Sequence, residues 1–265
     1  MLPSANDNED SVVVKIVPVN GHVLVNGQPQ MKHIDMLAEI IISTELSKLS
    51  STTSKRADDE QLEAARPRPL AGDDAIDDNT ETKAPGFLTV LNCYLTEGRY
   101  PNDLLAKWDD YHVGKVSEND RPDDSLFGQD DGAIGEAQQF VVLELKNSGE
   151  DLEGVTLANA SQGWAVFQQV AHALAMAEKL LAFEHRDLHW GNVLIQTCTE
   201  KHIVFGHASE TFKVETQGVR ATIIDFSLSR LSLPTDDDDN VIYNNLTEDP
   251  DLFKSEGDYQ FDIYR

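Results

Sequence analysis

The chain has 265 residues, with 21 basic against 47 acidic side chains and a formal net charge of −26. That length accommodates one large domain or two lobes. The charge argues against direct binding to a nucleic-acid backbone, a contact that needs Lys and Arg. It suits a basic peptide, which a negative surface would attract and steer, although the same acids placed in disordered insertions would serve only solubility. The two cysteines, Cys93 and Cys198, are far apart and lack C-x-x-C spacing. This argues against a disulfide framework or zinc site and fits a reducing compartment. No apolar run approaches the ~18 residues that cross a bilayer, and residues 1–10 have neither the basic nor the apolar region of a signal peptide. The expected protein is soluble and intracellular.

In chain order, Ser11 to Val19 is predicted to be a strand, since Val12, Val13, Val14, Ile16 and Val17 are β-branched around a single Lys15. Gly21, Asn26 and Gly27 mark a hairpin-like turn region. Met31 to Leu49 predicts a helix on the spacing of Leu37, Ile40, Ile41 and Thr44, followed by Leu46 and Leu49. Residues from about 50 to 85 are polar, with few large apolar side chains, and predict a disordered insertion. A second acidic, soft segment runs from Ser117 to Ala137. Phe87 to Leu95 predicts a strand. Pro101 to Tyr111, with Leu104, Leu105 and Trp108, predicts a short amphipathic helix. Phe140 to Leu143 predicts a buried strand that Asn147-Ser148-Gly149 breaks. Ser161 to Phe183 is the clearest helical pattern, with a stripe of Trp164, Phe167, Ala171, Leu174, Ala175 and Leu181. Val193 to Ile195 and Thr222 to Ile224 predict short strands. Between them, residues 196–220 form an insertion with possible strands around Ile203-Val204-Phe205 and Phe212-Lys213-Val214.

The stretch His185-Arg186-Asp187-Leu188-His189-Trp190-Gly191-Asn192, followed by Ile223-Ile224-Asp225-Phe226, is the most informative part of the chain. An Asp, an Asn five residues later and a second Asp after an apolar run are the acid set of phosphoryl transfer. Asp187 can take the proton of an attacking hydroxyl. Asn192 and Asp225 offer hard oxygen ligands for the Mg2+ that bridges ATP phosphates. The combined spacing is far more specific than either half; alone, Asp187 would read as a turn or cap residue. Lys15 is the candidate phosphate-binding cation and Glu39 its partner, because a cation on an apolar strand is costly unless paired. The alternative is a solvent-facing lysine and glutamate. Arg186 would steady the loop, reach an acidic group on the activation segment, or form an ordinary surface ion pair. His185 reads as a packed structural residue. His189 either helps hold a phosphate or the substrate hydroxyl, or packs. Asp225-Phe226-Ser227 has Ser where Gly is usual, which predicts a backbone less able to flip between active and inactive forms. No Ala-Pro-Glu follows it.

These residues resemble the haspin kinases, atypical eukaryotic protein kinases. The matching stretches are Glu39 to Leu46, Phe183 to Leu194, Ile223 to Arg230, Asp251-Leu252-Phe253, and Gly257 to Arg265. The last block is the most specific of them. The resemblance implies an α+β, two-lobed protein-kinase-like fold, active without activation-loop phosphorylation. Residues 1–145 would form the N-lobe and 146–265 the C-lobe. Both lobes would be incomplete, since no G-x-G-x-x-G precedes Lys15 and the chain stops at Arg265. It implies ATP and Mg2+ as cofactors, and as substrate a threonine near the N-terminus of the histone three tail, phosphorylated in mitosis on chromatin in the nucleus. Carried over by position, Lys15 and Glu39 form the lysine–glutamate pair and Glu144 through Gly149 the hinge. Leu145 is gatekeeper-like there, and Lys146 supplies adenine-binding backbone. Asp151 stands at the edge of the ATP and peptide sites, with Asp187 as base and Asn192 and Asp225 as metal ligands. Asp249, Asp251 and Asp258 would line the peptide groove, and Asp262 would brace the catalytic loop. The expected molecule is a monomer that binds neither nucleic acid directly nor membrane. Two other readings stay open. Small-molecule kinases of the aminoglycoside and choline type also carry an H-x-D-L-H-x-x-N loop, and a non-catalytic kinase-fold module could bind basic tails through its acidic face.

Overall fold

A sharp turn near the N-terminus shows how local chemistry sets the first unit. Asn26 and Gly27 both adopt left-handed backbone, at φ 53° and 75°, the pair of angles an Asn-Gly hairpin turn requires. Val25 and Gln28 close it through reciprocal N–H to carbonyl bonds of 2.8 and 3.0 Å. The computed structural model describes residues 11–50, 84–117, 119–122, 138–207, 210–233 and 240–248. These fall into two units, residues 11–40 with 90–147, and residues 41–89 with 148–248.

The first unit is a three-stranded antiparallel sheet of β1 (Val12–Val19), β2 (Val90–Glu97) and β3 (Gln139–Lys146), in the order β1-β3-β2. β3 is central and carries the apolar density: Phe140, Val141, Leu143 and Leu145 are buried. Its register with β1 places Lys15 opposite Leu143. The helix after β1 starts later than the predicted Met31. It is α1 (Leu37–Ser50), because the preceding residues have other partners. The Met31 carbonyl accepts from Asn20 N–H, the His33 N–H donates to Asn20 Oδ1, and Lys32 and Asp35 close a turn. Its buried face is also rotated from the predicted stripe. Met36, Glu39, Ile42, Ser43 and Leu46 are inside and Leu37 is exposed. β2 begins at Val90 rather than Phe87. α2 (Asn102–Lys115) is longer than predicted, and none of its residues is buried, so its apolar positions have no core to join among the described residues. Trp108 stacks instead on His112, with ring centres 4.8 Å apart.

The second unit is built on α3 (Ala160–Leu181), whose N-cap Asn159 accepts from the Gln162 N–H at 3.0 Å. Its buried stripe is Ala165, Val166, Gln169, Ala173, Met176, Ala177 and Leu181. Trp164 and Phe167, predicted inside, are each 60% exposed and stack on one another. The helix is turned by the small residues, which allow close approach, and by Gln169. The Gln169 amide accepts from Ala221 N–H and donates to the Val219 carbonyl. Both belong to β8 (Val219–Ile223), which pairs with β5 (Val193–Thr197), itself paired with the short β4 (Glu150–Asp151). The predicted insertion strands are present as the hairpin β6 (His202–His207) and β7 (Glu210–Glu215). β9 (Arg230–Ser232) pairs with β10 (Val241–Tyr243). The core joins Ile42, Leu46, Phe87, Ala177, Phe183, Ile223 and Phe226. Phe87, Phe183 and Phe226 meet in pairs with ring centres 5.8–6.2 Å apart.

Ile42, Leu46, Ala84 and Phe87 are buried in the second unit's core, and β3 runs on to Lys146 before the chain crosses at Asn147 and Ser148. Residues 51–83 of the first predicted insertion, and 118 and 123–137 of the second, lie outside the described residues, as do Asp249, Asp251, Asp258 and Asp262. No described helix is long and apolar enough to cross a membrane.

Candidate active site

In the first unit, Lys15 Nζ donates to Glu39 Oε1 at 2.6 Å. The alternation of β1 and the first turn of α1 bring the two side chains together across 24 residues. The environments differ: 42% of the lysine side chain is exposed but only 9% of the glutamate side chain. The carboxylate thus depends on the ammonium more than the reverse, and it pins the lysine head. The solvent-facing alternative fails for Glu39.

At the exit of this unit, Glu144 stands inside the ladder, opposite both Val14 and Asn92. Its carboxylate accepts from Asn92 Nδ2 at 2.6 Å. A residue flanked on both sides has its backbone committed to the sheet. Leu145 is buried, and Lys146 ends the strand opposite Val12. In the second unit, Gly149 has φ 100°, and a Cβ there would stand 2.1 Å from the Ile195 carbonyl oxygen. Only glycine fits. Asp151, exposed on β4, accepts from Gly154 N–H at 2.7 Å.

The catalytic-loop candidates are assembled by β5 and β8. Pairing of Val193 with Ile223 sets Asn192 and Asp225 just beyond the ends of neighbouring strands, and the Ile224 N–H donates to the Asn192 carbonyl at 3.0 Å. Asn192 is buried, and its Nδ2 donates to the Asp187 carbonyl at 2.9 Å. That bond uses the amide's nitrogen and leaves its oxygen, Oδ1, as an acceptor with no donor among the described residues. Asp225 adopts left-handed backbone, φ 62°, a region that Asp tolerates better than most residues. The carboxylate of Asp187 has no hydrogen bond or ion pair from the described residues, as a base awaiting a hydroxyl requires. His189 accepts from Gly191 N–H through Nδ1 and caps the short turn Trp190–Asn192. The ring is exposed.

His185 is buried, as predicted. Its Nδ1 accepts from the Asp187 N–H at 3.3 Å and its Nε2 donates to the Ile224 carbonyl at 3.0 Å, which requires the neutral ring. Burial pushes its pKa below the ordinary 6.5. Arg186, at φ 67°, donates to Glu184 Oε2 at 2.9 Å. Arg230 approaches the other oxygen of Glu184 at 3.6 Å, and residues 184 and 230 also exchange backbone bonds. Of the alternatives for Arg186, the described residues show the ordinary ion pair, to an exposed acid two residues away.

Sequence reasoning did not single out three residues that shape this loop, Glu184, Ser229 and Asn244, and it read Ser227 only as a loss of backbone freedom. Glu184 bridges the two arginines. Ser227 donates to Asp225 Oδ1, Ser229 Oγ to the His185 carbonyl, and Asn244 Nδ2 to the Ser227 carbonyl. The signal for the Ser227 bond is a hydroxyl two positions after an acid, the spacing of a side-chain-closed turn. An Asn oxygen and one carboxylate suit Mg2+, which takes few protein ligands and completes its shell with phosphates and water. They suit Zn2+ poorly, and the described residues hold no cluster of three His, Cys, Asp or Glu side chains.

The profile of the "Haspin like kinase domain" family matches residues 3–265. The haspin homologue of Drosophila melanogaster is 34% identical over 259 residues, 98% of this chain and 39% of that protein. Haspin of Bos taurus is 36% identical over 97% of this chain and 28% of its own length. The haspin homologue of Arabidopsis thaliana is 30% identical over 96% of this chain and 36% of its own. The chain therefore spans between 28% and 39% of the length of these relatives. Since the match runs through both units and includes the loop that joins Asp187, Asn192 and Asp225, the chain belongs to the haspin-like kinase family.

Proposed function

We propose that the chain is a serine/threonine protein kinase domain that moves the γ-phosphoryl group of ATP to a threonine of a basic protein tail. The observation that carries this reading is the Asn192–Asp187 bond beside an Asp187 carboxylate that takes no hydrogen bond or ion pair from the described residues. One link fixes a metal ligand to the loop, and the other leaves the base open. Asp187 orients the substrate hydroxyl and accepts its proton as the oxygen bonds to the γ-phosphorus, while the bond from that phosphorus to the β-γ bridging oxygen breaks and ADP leaves. Lys15, held by Glu39, binds α- and β-phosphate oxygens. Asn192 Oδ1 and Asp225 would hold Mg2+, which neutralises charge on the phosphates when bound. Lys146 backbone would meet the adenine, with Gly149 giving the chain its close passage over β5.

The substrate in this reading is the histone three tail, in mitosis and on nuclear chromatin. The net charge of −26 supports a Lys- and Arg-rich partner, and Asp151, Asp249, Asp251 and Asp258 are the acids assigned to it. The protein would act as a monomer, away from membranes and without binding nucleic acid itself. The test is phosphate transfer from magnesium-ATP to a histone three tail peptide, with the threonine-to-alanine peptide as control and Asp187→Asn beside the native chain. The native chain should label only the threonine peptide. Asp187→Asn should lose about 10²-fold or more of the rate, the range of general-base catalysis, with ATP affinity close to native. Equal rates in both chains would remove Asp187 as base. No transfer by a folded native chain would defeat the kinase reading.

A further inference from the structure

Asp225 is exposed and sits on left-handed backbone. A carboxylate in such a place would turn among its rotamers in water, yet both donors of Ser227 converge on one of its oxygens. Ser227 Oγ donates to Asp225 Oδ1 at 2.8 Å and the Ser227 N–H reaches the same oxygen at 3.3 Å. A glycine at 227 would supply the second bond but not the first. Nor does the backbone there call for glycine, because Ser227 is not among the residues with positive φ. The serine is itself held. Its carbonyl accepts from Asn244 Nδ2 at 2.9 Å, and two residues on Ser229 Oγ donates to the His185 carbonyl at 2.9 Å. On the other side Phe226 is buried among Phe87, Phe183 and His185.

We propose that Ser227 is a positioning residue for the metal ligand Asp225. Its hydroxyl occupies Oδ1, fixes the rotamer and leaves Oδ2 as the oxygen presented to the cation. This rests on the kinase reading above and adds to it a device that a glycine in this position cannot supply. Serine at 227 is therefore a gain in ligand order as well as a loss of backbone freedom. A hydrogen-bond partner that orients a metal ligand typically accounts for about 10- to 100-fold in metal affinity.

The test is Mn2+ binding to the full chain in the presence of ATP, followed by the loss of the free-Mn2+ electron paramagnetic resonance signal. Native chain, Ser227→Ala and Ser227→Thr are compared, with urea unfolding to show that all three fold. Ser227→Ala should bind Mn2+ about tenfold more weakly, while ATP binding without metal is unchanged. Ser227→Thr, which keeps the hydroxyl, should restore the native value. In the transfer assay the Mg2+ concentration for half-maximal rate should rise by the same factor in Ser227→Ala, and the rate at saturating Mg2+ should stay near native. Equal Mn2+ affinity in native and Ser227→Ala overturns the proposal, as does Ser227→Thr binding as weakly as the alanine variant. A folded native chain that shows no metal-dependent ATP binding overturns the kinase reading itself.

Discussion

The unequal burial of Lys15 and Glu39 makes a prediction about the order of three variants. In Lys15→Met the glutamate side chain, 9% exposed, loses the cation 2.6 Å away and stays mostly out of water. A buried charge that loses its partner costs about 3–5 kcal/mol in the fully buried limit. Here two features lower that figure. The lysine head is 42% exposed, so water already screened the pair, and Glu39 lies in the first turn of α1, where the helix N-terminus favours a negative charge. A loss of about 1–3 kcal/mol remains, the range for a buried group left unsatisfied. Glu39→Gln keeps an acceptor for Lys15, and a partly exposed ammonium tolerates the change, so its cost should stay below about 1 kcal/mol. The double variant then replaces an orphaned carboxylate with a neutral amide. It should be more stable than Lys15→Met alone by roughly 1 kcal/mol, a coupling of opposite sign to simple additivity. Urea unfolding of the four chains, followed by circular dichroism at constant m-value, measures this. A double variant no more stable than Lys15→Met would refute the claim that the carboxylate is the dependent partner.

Gly149→Ala should lower stability by at least about 2 kcal/mol, since φ strain of roughly 1–3 kcal/mol adds to a clash with backbone, and an unchanged urea midpoint would contradict the geometry at Ile195. His185 carries the pH dependence. Burial lowers its folded pKa below the ordinary 6.5, so the unfolded chain takes up a proton first as pH falls. Stability should therefore be at its fullest above pH 6.5 and decline as pH drops through and below that value. His185→Gln, which keeps a donor for the Ile224 carbonyl, should flatten that part of the profile in unfolding titrations.

How far the fold could be read in advance divides by the range of the signal. The Asn26-Gly27 turn, the β-branched run of β1 and the break after Lys146 depend on neighbours in sequence, and each is where those neighbours put it. The two helical stripes were legible as helices but not as faces. In α3 the large aromatics Trp164 and Phe167 lie outside while Ala165, Gln169 and Ala173 lie inside. Hydrophobicity alone ranks these residues the other way round. What reverses the ranking is contact with β8, where Gln169 completes the backbone of Val219 and Ala221. A buried polar side chain that satisfies a neighbouring strand outweighs a pair of larger apolar ones that stack on each other at the surface.

The site follows the same division, with a consequence for how such loops are read. Spacing located Asp187, Asn192 and Asp225, because the chemistry demands those atoms and the strands β5 and β8 bring them together. Spacing could not reveal what restrains them, since each restraint joins residues that only the fold makes neighbours. His185 reaches Ile224 across 39 positions and Ser229 reaches the His185 carbonyl across 44. The restraints share a chemistry. Neutral donors from Asn192, His185, Ser227, Ser229 and Asn244 go to backbone carbonyls or to one carboxylate oxygen, and none of them neutralises Asp187. A loop fixed by ion pairs at its acids would lose the charge it needs for a proton and a cation. Placing the ion pairs one step away, on Glu184 with Arg186 and Arg230, holds the backbone without an ion pair to Asp187 or Asp225 among the described residues.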